Sequence, residues 1–318
     1  MKFYFFGGLI FKAFLIHGHI STFLLLCALV PIVKDKMGDI CASSNYRSIA
    51  ISSLILKIID WIVILLFGKT LKLDDLQFSY QENCSTTMCS WLLVESVSYF
   101  MRKNNEIFSD MSKAFDMVKH SVLFRKLIKI GLSLIFIRLI MAMYLMQFAN
   151  VRWNGHVSES FSLTNGVKQG AILSAILYCI YVNGLFERLR ERKTGCWIKN
   201  DYLGMLGYAD DNFLLSPTLD GLQEMINTCD EYAKEHHLKF STNVKPEKSK
   251  TKCMAFLLKD RELRKLKLGQ HELPWWNYGK HLGNKIDNSK NWMAQDLSLI
   301  HISEPTRPLY ISYAVFCL

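Results

Sequence analysis

The sequence predicts an α+β fold, and three features carry that prediction. Apolar residues recur at helical spacing over 86–102, 171–189 and 219–236, and over 120–146 with a break at Gly131-Leu132-Ser133. Between these stretches the pattern alternates: Phe148, Val151 and Trp153 mark a strand over 147–153, Asn154-Gly155 a tight hairpin turn, and 157–163 the returning strand. A chain of 318 residues with 50% hydrophobic content has ample material for a core in one or two domains, which excludes a disordered tail.

Taken from the N-terminus, two apolar runs come first, ISTFLLLCALVPIV at 20–33 and IAISSLILKIIDWIVILLF at 49–67. The first is shorter than the ~20 residues a membrane-spanning helix needs. The second carries Lys57 and Asp60 near its centre, each costing roughly 2.5–3.5 kcal/mol inside a bilayer. Both are therefore expected to be buried elements, with no stable membrane association. Lys34-Asp35-Lys36 stands where a signal peptide would need small residues. From Asn45-Tyr46-Arg47 a helix-like pattern runs through Lys57 and Asp60. Ile107-Phe108 gives a short strand signal, and 165–170 is a flexible loop opening directly into the helix at 171. Trp197-Ile198 and the stretch 202–215 form a second hairpin-like unit around Lys199-Asn200-Asp201. Strands are expected at 238–240 and 251–258, the latter behind a lysine-rich loop.

The 38 Lys plus Arg against 28 Asp plus Glu leave a net charge of +10, which suits nucleic acid or an anionic membrane surface. The 9 cysteines form no CxxC pair, and His17, His19, His236 and His237 have no cysteine at zinc-finger spacing, so reduced structural thiols are expected.

One interruption needs a chemical reason. Within 202–215, otherwise apolar, stands Tyr208-Ala209-Asp210-Asp211. Adjacent carboxylates repel, and a divalent cation between them relieves the repulsion. A type I′ turn with one Asp in water would also accommodate the pair. Asp110 follows another apolar strand, so a fold that brings it beside Asp210 and Asp211 would assemble a two-metal site, able to activate a hydroxyl and neutralise a leaving pyrophosphate.

Three segments resemble one family, the reverse transcriptases of non-LTR (LINE-type, jockey-like) retrotransposons. DMSKAFDMVKHSVLFRKL is similar to that family's motif A, NGVKQGAILSAILYCIYVNGL to motif B and GYADD to motif C. NYRSIAISSLILKIID resembles the fingers motif, KTKCMAF the lysine-bearing motif D, and His281-Leu282-Gly283 the motif after it, so the likeness covers 17–286. It implies a polymerase right hand, with helical fingers over 17–103, an antiparallel-sheet palm with an interleaved fingers hairpin over 104–286, and a thumb largely missing.

The resemblance also implies roles. Asp110 and Asp210 would bind two Mg²⁺ (or Mn²⁺) ions, with Asp211 as the third acid and Met111 offering its carbonyl. Phe115 would close the 2′-hydroxyl pocket. Gln169 and Gly170 would line nucleotide and template, and Lys168 and Arg47 would contact phosphate. Lys250 would protonate pyrophosphate, although Lys248 and Lys252 share its spacing. RNA template, DNA primer and dNTP follow as partners, and nucleus and cytoplasm as location.

Some positions depart from the family. Only Ile107 and Phe108 precede Asp110 as apolar strand residues, and Ala171 and Ala175 replace a common Ser and Pro. The upstream endonuclease is expected to be missing, and 297–318 looks like translated sequencing adapter. Two other readings stay open: a truncated, catalytically inactive remnant that only binds nucleic acid, and a small membrane protein in which Asp210-Asp211 is merely a turn.

Overall fold

The structure, a computed structural model, describes residues 2–34, 36–68, 70–103, 106–113, 118–168, 170–238, 240, 251–257 and 262–288. The expectations for Phe115, Gln169, Lys250 and the tail at 297–318 lie outside the described residues, as do the side chains of Asp110 and Met111.

The apolar runs near the N-terminus become packed elements. α1 (Lys2–His17) is followed by the single turn α2 (Thr22–Leu25), and the run at 20–33 then continues as β1 (Leu26–Val33). The expectation of one helix leading out of Asn45-Tyr46-Arg47 is corrected: β2 (Tyr46–Ile51) comes first, and α3 (Leu54–Phe67) starts only after Ser53. Two local forces place that switch. Residues 46–51 pair antiparallel with β1, and the Ser53 side chain accepts from the Leu56 N–H, satisfying a donor that a new helix leaves open.

β1 also pairs in parallel with β4 (Phe148–Trp153), giving the order β2-β1-β4-β5, with β6 (Phe161–Ser162) also on β4. The turn into β5 (His156–Val157) is the expected two-residue hairpin, with both Asn154 and Gly155 at positive φ. The returning strand is broken into β5 and β6, because Ser158 uses its hydroxyl as well as its backbone on Val151 and takes over the ladder there.

A second sheet is built from later elements. β3 (Ile107–Lys113) lies between β11 (Lys252–Phe256) and β10 (Asp211–Ser216), and β9 (Met205–Tyr208) closes the order β11-β3-β10-β9. All its pairings are antiparallel. α4 (Thr86–Arg102) packs on β3 and β9, and α8 (Leu219–His236) on β3 and β10. α8 turns Leu222, Met225, Ile226, Cys229, Tyr232 and Ala233 inward at helical spacing. It ends at His237, whose left-handed backbone lets the Leu238 N–H reach the Ala233 carbonyl, a C-terminal cap made without glycine.

The helices between the sheets form the rest of the core. α5 (His120–Lys129) and α6 (Leu134–Leu145) are separated where expected, at Gly131 with φ 81°. α7 (Ile172–Glu191) is long and apolar enough to cross a membrane by length and composition, yet 67% of its most apolar window is buried, and it packs on α3, α5 and α8. β7 (Trp197–Ile198) and β8 (Asp201–Tyr202) make a short hairpin. After β11 come two further hairpins, β12 (Leu266–Leu268) with β13 (His271–Leu273) and β14 (Tyr278–His281) with β15 (Asn284–Asp287).

Gly207 in β9 marks a tight approach beside the acidic hairpin. A Cβ there would stand 2.6 Å from the Phe186 ring and 3.2 Å from the Gln77 amide nitrogen. Gly207→Ala is expected to cost roughly 1–3 kcal/mol by overpacking, seen as a lower urea midpoint with an unchanged m-value; a midpoint equal to wild type would contradict this packing.

Candidate active site

Asp210 and Asp211 sit at the tip of the β9–β10 hairpin. Tyr208 pairs with Asp211, so Ala209 and Asp210 are the two turn residues. Ala209 has φ 56° while Asp210 is not at positive φ, the sign pattern of a type II′ turn in place of type I′. Strand β3 runs alongside, and its register sets Lys113 opposite Asp211 and Asp110 opposite Leu214. The backbone of Asp110 thus shares the sheet with the acidic turn, three residue steps (~10 Å of strand rise) from the level of Asp211. Starting at Ile107, the strand runs through Asp110 to Lys113, so the short apolar lead does not end it before the acid.

The charge of the turn reaches its packed neighbours. Burial pushes the Cys179 thiol up to about 12 and Asp210 adds to that shift. Burial likewise pushes Cys89 up to about 12, with Asp211 the next contributor. Both thiols are fully buried.

A segment that sequence reasoning passed over holds this hairpin. Leu76 and Phe78 bond through their backbones to Gly207, Gly207 N–H donating to the Leu76 carbonyl and Phe78 N–H to the Gly207 carbonyl, both at 2.8 Å. From the same segment Gln77 and Ser79 reach Ala209 with their side chains. The available signal was Leu76-Gln77-Phe78-Ser79, polar residues alternating with apolar ones where no helix is indicated.

The loop at 166–170 is positioned from three sides. His120 Nε2–H donates to the Gly166 carbonyl at 2.8 Å, and the Gly166 N–H donates to the Val118 carbonyl at 3.0 Å. Gly170 has φ 118°, and a Cβ there would meet the Ala50 carbonyl oxygen at 3.1 Å, so only glycine fits without a shift. Ala50 lies in β2, which also carries Arg47, exposed on that strand. Lys168 is 9% exposed and feels the charges of Cys27 and Asp60, burial being the main reason its ammonium is lowered. The structure therefore gathers Arg47, Lys168 and Gly170 around the five-stranded sheet, with Lys168 the one turned away from water.

Of the three lysines at motif D spacing, Lys252 lies within the described residues. It pairs with Met111 beside Asp110, and its ammonium stands 3.3 Å from the centroid of the Trp276 ring. Partial burial lowers its ammonium.

Residues 33–278, which include the β11-β3-β10-β9 sheet and the acidic hairpin, match the model of the family described as Reverse transcriptase (RNA-dependent DNA polymerase). The chain belongs to the reverse transcriptase family. Curated relatives of this reverse transcriptase chain come from retrotransposable elements, as the motif resemblance implied. A Retrovirus-related Pol polyprotein from type-1 retrotransposable element R2 of Popillia japonica is 29% identical over 63% of this chain and 29% of its own length. The Transposon TX1 uncharacterized 149 kDa protein of Xenopus laevis is 26% identical over 62% of this chain and 16% of its own length. A Pol polyprotein from type-2 retrotransposable element R2DM of Drosophila melanogaster is 26% identical over 58% and 18%. The reverse transcriptase chain thus spans less than a third of each relative. Among solved structures, apo telomerase from Candida Tropicalis, truncated from its C-terminal domain, aligns with a TM-score of 0.49 at 15% identity, over 78% of this chain and 53% of that one.

The donor chemistry of the reverse transcriptase hairpin suits a hard divalent cation, since carboxylate oxygens are the ligands Mg²⁺ and Mn²⁺ prefer. Among the described residues no group of three His, Cys, Asp or Glu side chains is arranged around one metal, and the Asp110 side chain lies outside them.

Asp60, the acid in the apolar run, is 6% exposed in α3. Burial pushes its carboxyl from the ordinary 3.8 up to about 7, against the pull of Lys168. The folded reverse transcriptase then holds a proton that the unfolded chain releases, so the Asp60 contribution favours folding in acid and is lost as pH rises from about 4 to about 7. Asp60→Asn should flatten stability across that window and be more stable than wild type at pH 8, by on the order of 1–3 kcal/mol. Urea unfolding at stepped pH checks this, and an unaltered slope would refute it.

Proposed function

We propose that this chain catalyses RNA-directed DNA synthesis, transferring a nucleotidyl group from a dNTP to a primer 3′-hydroxyl. The observation that carries the reading is the Asp210-Asp211 turn held in one sheet beside the strand of Asp110, inside a chain matched to the reverse transcriptase family over 33–278. In this reading the sheet β11-β3-β10-β9 is the palm, and the five-stranded sheet with α3 belongs to the fingers of a right-hand polymerase.

Asp110, Asp210 and Asp211, with the Met111 carbonyl, would hold two Mg²⁺ or Mn²⁺ ions. Such ions supply Lewis-acid activation of the primer hydroxyl and neutralise the triphosphate. The chain's own groups do the remaining work. The primer oxygen attacks the α-phosphorus in line as the bond to pyrophosphate breaks, so the acceptor and the departing group must be held on opposite sides of that phosphorus. Gly170 and Gln169 would let the backbone approach template and nucleotide closely. Arg47, exposed on β2, would meet phosphate. Lys168 would act from within the loop, its charge opposed to that of Asp60. Phe115 would exclude a 2′-hydroxyl, and Lys250 would return a proton to pyrophosphate. An RNA template and a DNA primer would lie along the basic surface implied by a net charge of +10, with affinity falling steeply as salt rises.

The test is primer extension by the full chain on an RNA template annealed to a DNA primer, in Mg²⁺ and then Mn²⁺, beside Asp210→Asn. Wild type should extend, and the variant should lose about 10³-fold or more in rate while holding primer-template with an affinity within roughly twofold. If neither protein extends and both still bind, the catalytic reading fails and the chain is a binding remnant.

A further inference from the structure

Gln77 and Ser79 have no role in the chemistry above, yet they make polar contacts with the turn that carries Asp210. Ala209 occupies the left-handed region at φ 56°, which costs a non-glycine residue roughly 1–2 kcal/mol unless its surroundings hold it there. Its N–H meets two acceptors, Gln77 Oε1 and Ser79 Oγ, each at 2.9 Å. Its carbonyl takes Gln77 Nε2–H at 3.4 Å. One amide side chain therefore grips the peptide units on both sides of Ala209, and the second of those units leads directly into Asp210.

The grip is itself braced. Ser79 and Gln77 are both 0% exposed, and the Ser79 hydroxyl donates to Gln77 Oε1 at 2.9 Å beside Cys179 Sγ at 3.2 Å. Gln81 Nε2 bonds both the Gln77 carbonyl and, at 2.9 Å, the Asp74 carbonyl, and Asp74 is held by a two-oxygen contact with Arg190. Removing the Gln77 amide leaves the Ala209 carbonyl without this donor and its N–H with one acceptor in place of two.

We propose that Gln77, supported by Ser79, is a positioning residue for the acidic turn: it sets the peptide planes of Ala209 so that the Asp210 carboxylate is aimed in advance at a divalent cation. This rests on the reading of Asp210 as a metal ligand. Partners that orient a ligand act on metal affinity without touching the metal.

The full chain is titrated with Mn²⁺ alone, bound ion being followed by electron paramagnetic resonance, for wild type, Asp210→Asn, Gln77→Met and Ser79→Ala. Amide exchange of a peptide covering 205–211 and the melting midpoint are measured on the same samples. Gln77→Met keeps the side chain's length and removes both polar atoms. It should weaken Mn²⁺ binding ~10-fold and speed exchange at Ala209, with Ser79→Ala weaker in both and α8 exchange unchanged. Faster exchange with wild-type Mn²⁺ affinity would overturn the proposal, leaving Gln77 a structural residue only. Should Gln77→Met fail to fold, the same two readouts on Ser79→Ala decide. The Asp210→Asn arm separates the two levels: if that change leaves Mn²⁺ binding intact, Asp210 is no ligand and both readings fall, whereas loss there with retention in Gln77→Met removes only the positioning role.

Discussion

A two-residue turn with two acids at its tip is held by side chains 132 and 130 residues earlier in the chain. Ala209 sits where glycine is normally needed, and β9 approaches the Phe186 ring of α7 so closely that Gly207 has no space for a Cβ. Neither feature is stable in an isolated hairpin. The segment 76–79 supplies backbone bonds to Gly207 and side-chain bonds to Ala209, so the strain of the turn is offset by contacts that exist only when the sheet and the segment are assembled together.

The same economy of parts recurs on the other sheet. Before α7, His120 fixes Gly166, and Gly170 makes a close approach to Ala50. Lys168 pulls on the Asp60 carboxyl, but burial outweighs that pull, so α3 carries near its middle an acid that keeps its proton up to about pH 7. His120 also stands edge-on to Tyr144, whose hydroxyl meets Ser174 of α7 at 2.7 Å. This polar set ties α5, α6 and α7 to the loop that precedes α7, so the placement of a surface loop is decided by buried groups.

Several elements were legible in the linear sequence because their causes are local. α4 and α8 match their periodic patterns, the break between α5 and α6 falls at Gly131, and Asn154-Gly155 turns as that dipeptide does almost anywhere. Other features were not legible. The run at 49–67 is largely apolar, and apolarity alone cannot separate a strand from a helix; pairing with β1 and the cap at Ser53 did so. Ser158 interrupted the strand after that hairpin through a side-chain bond that no propensity records.

For the acidic turn, the sequence by itself determined which groups are available: carboxylates at 110, 210 and 211, a loop with Gly170, and a basic balance of +10. Tertiary structure alone decided that the strands of Asp110 and Asp211 lie side by side, that Lys168 is buried opposite Asp60 in charge, and that Gln77 holds Ala209. The physical reason is range. Turn and helix preferences act over a few residues, whereas burial, sheet register and the satisfaction of a buried amide depend on partners more than a hundred positions away.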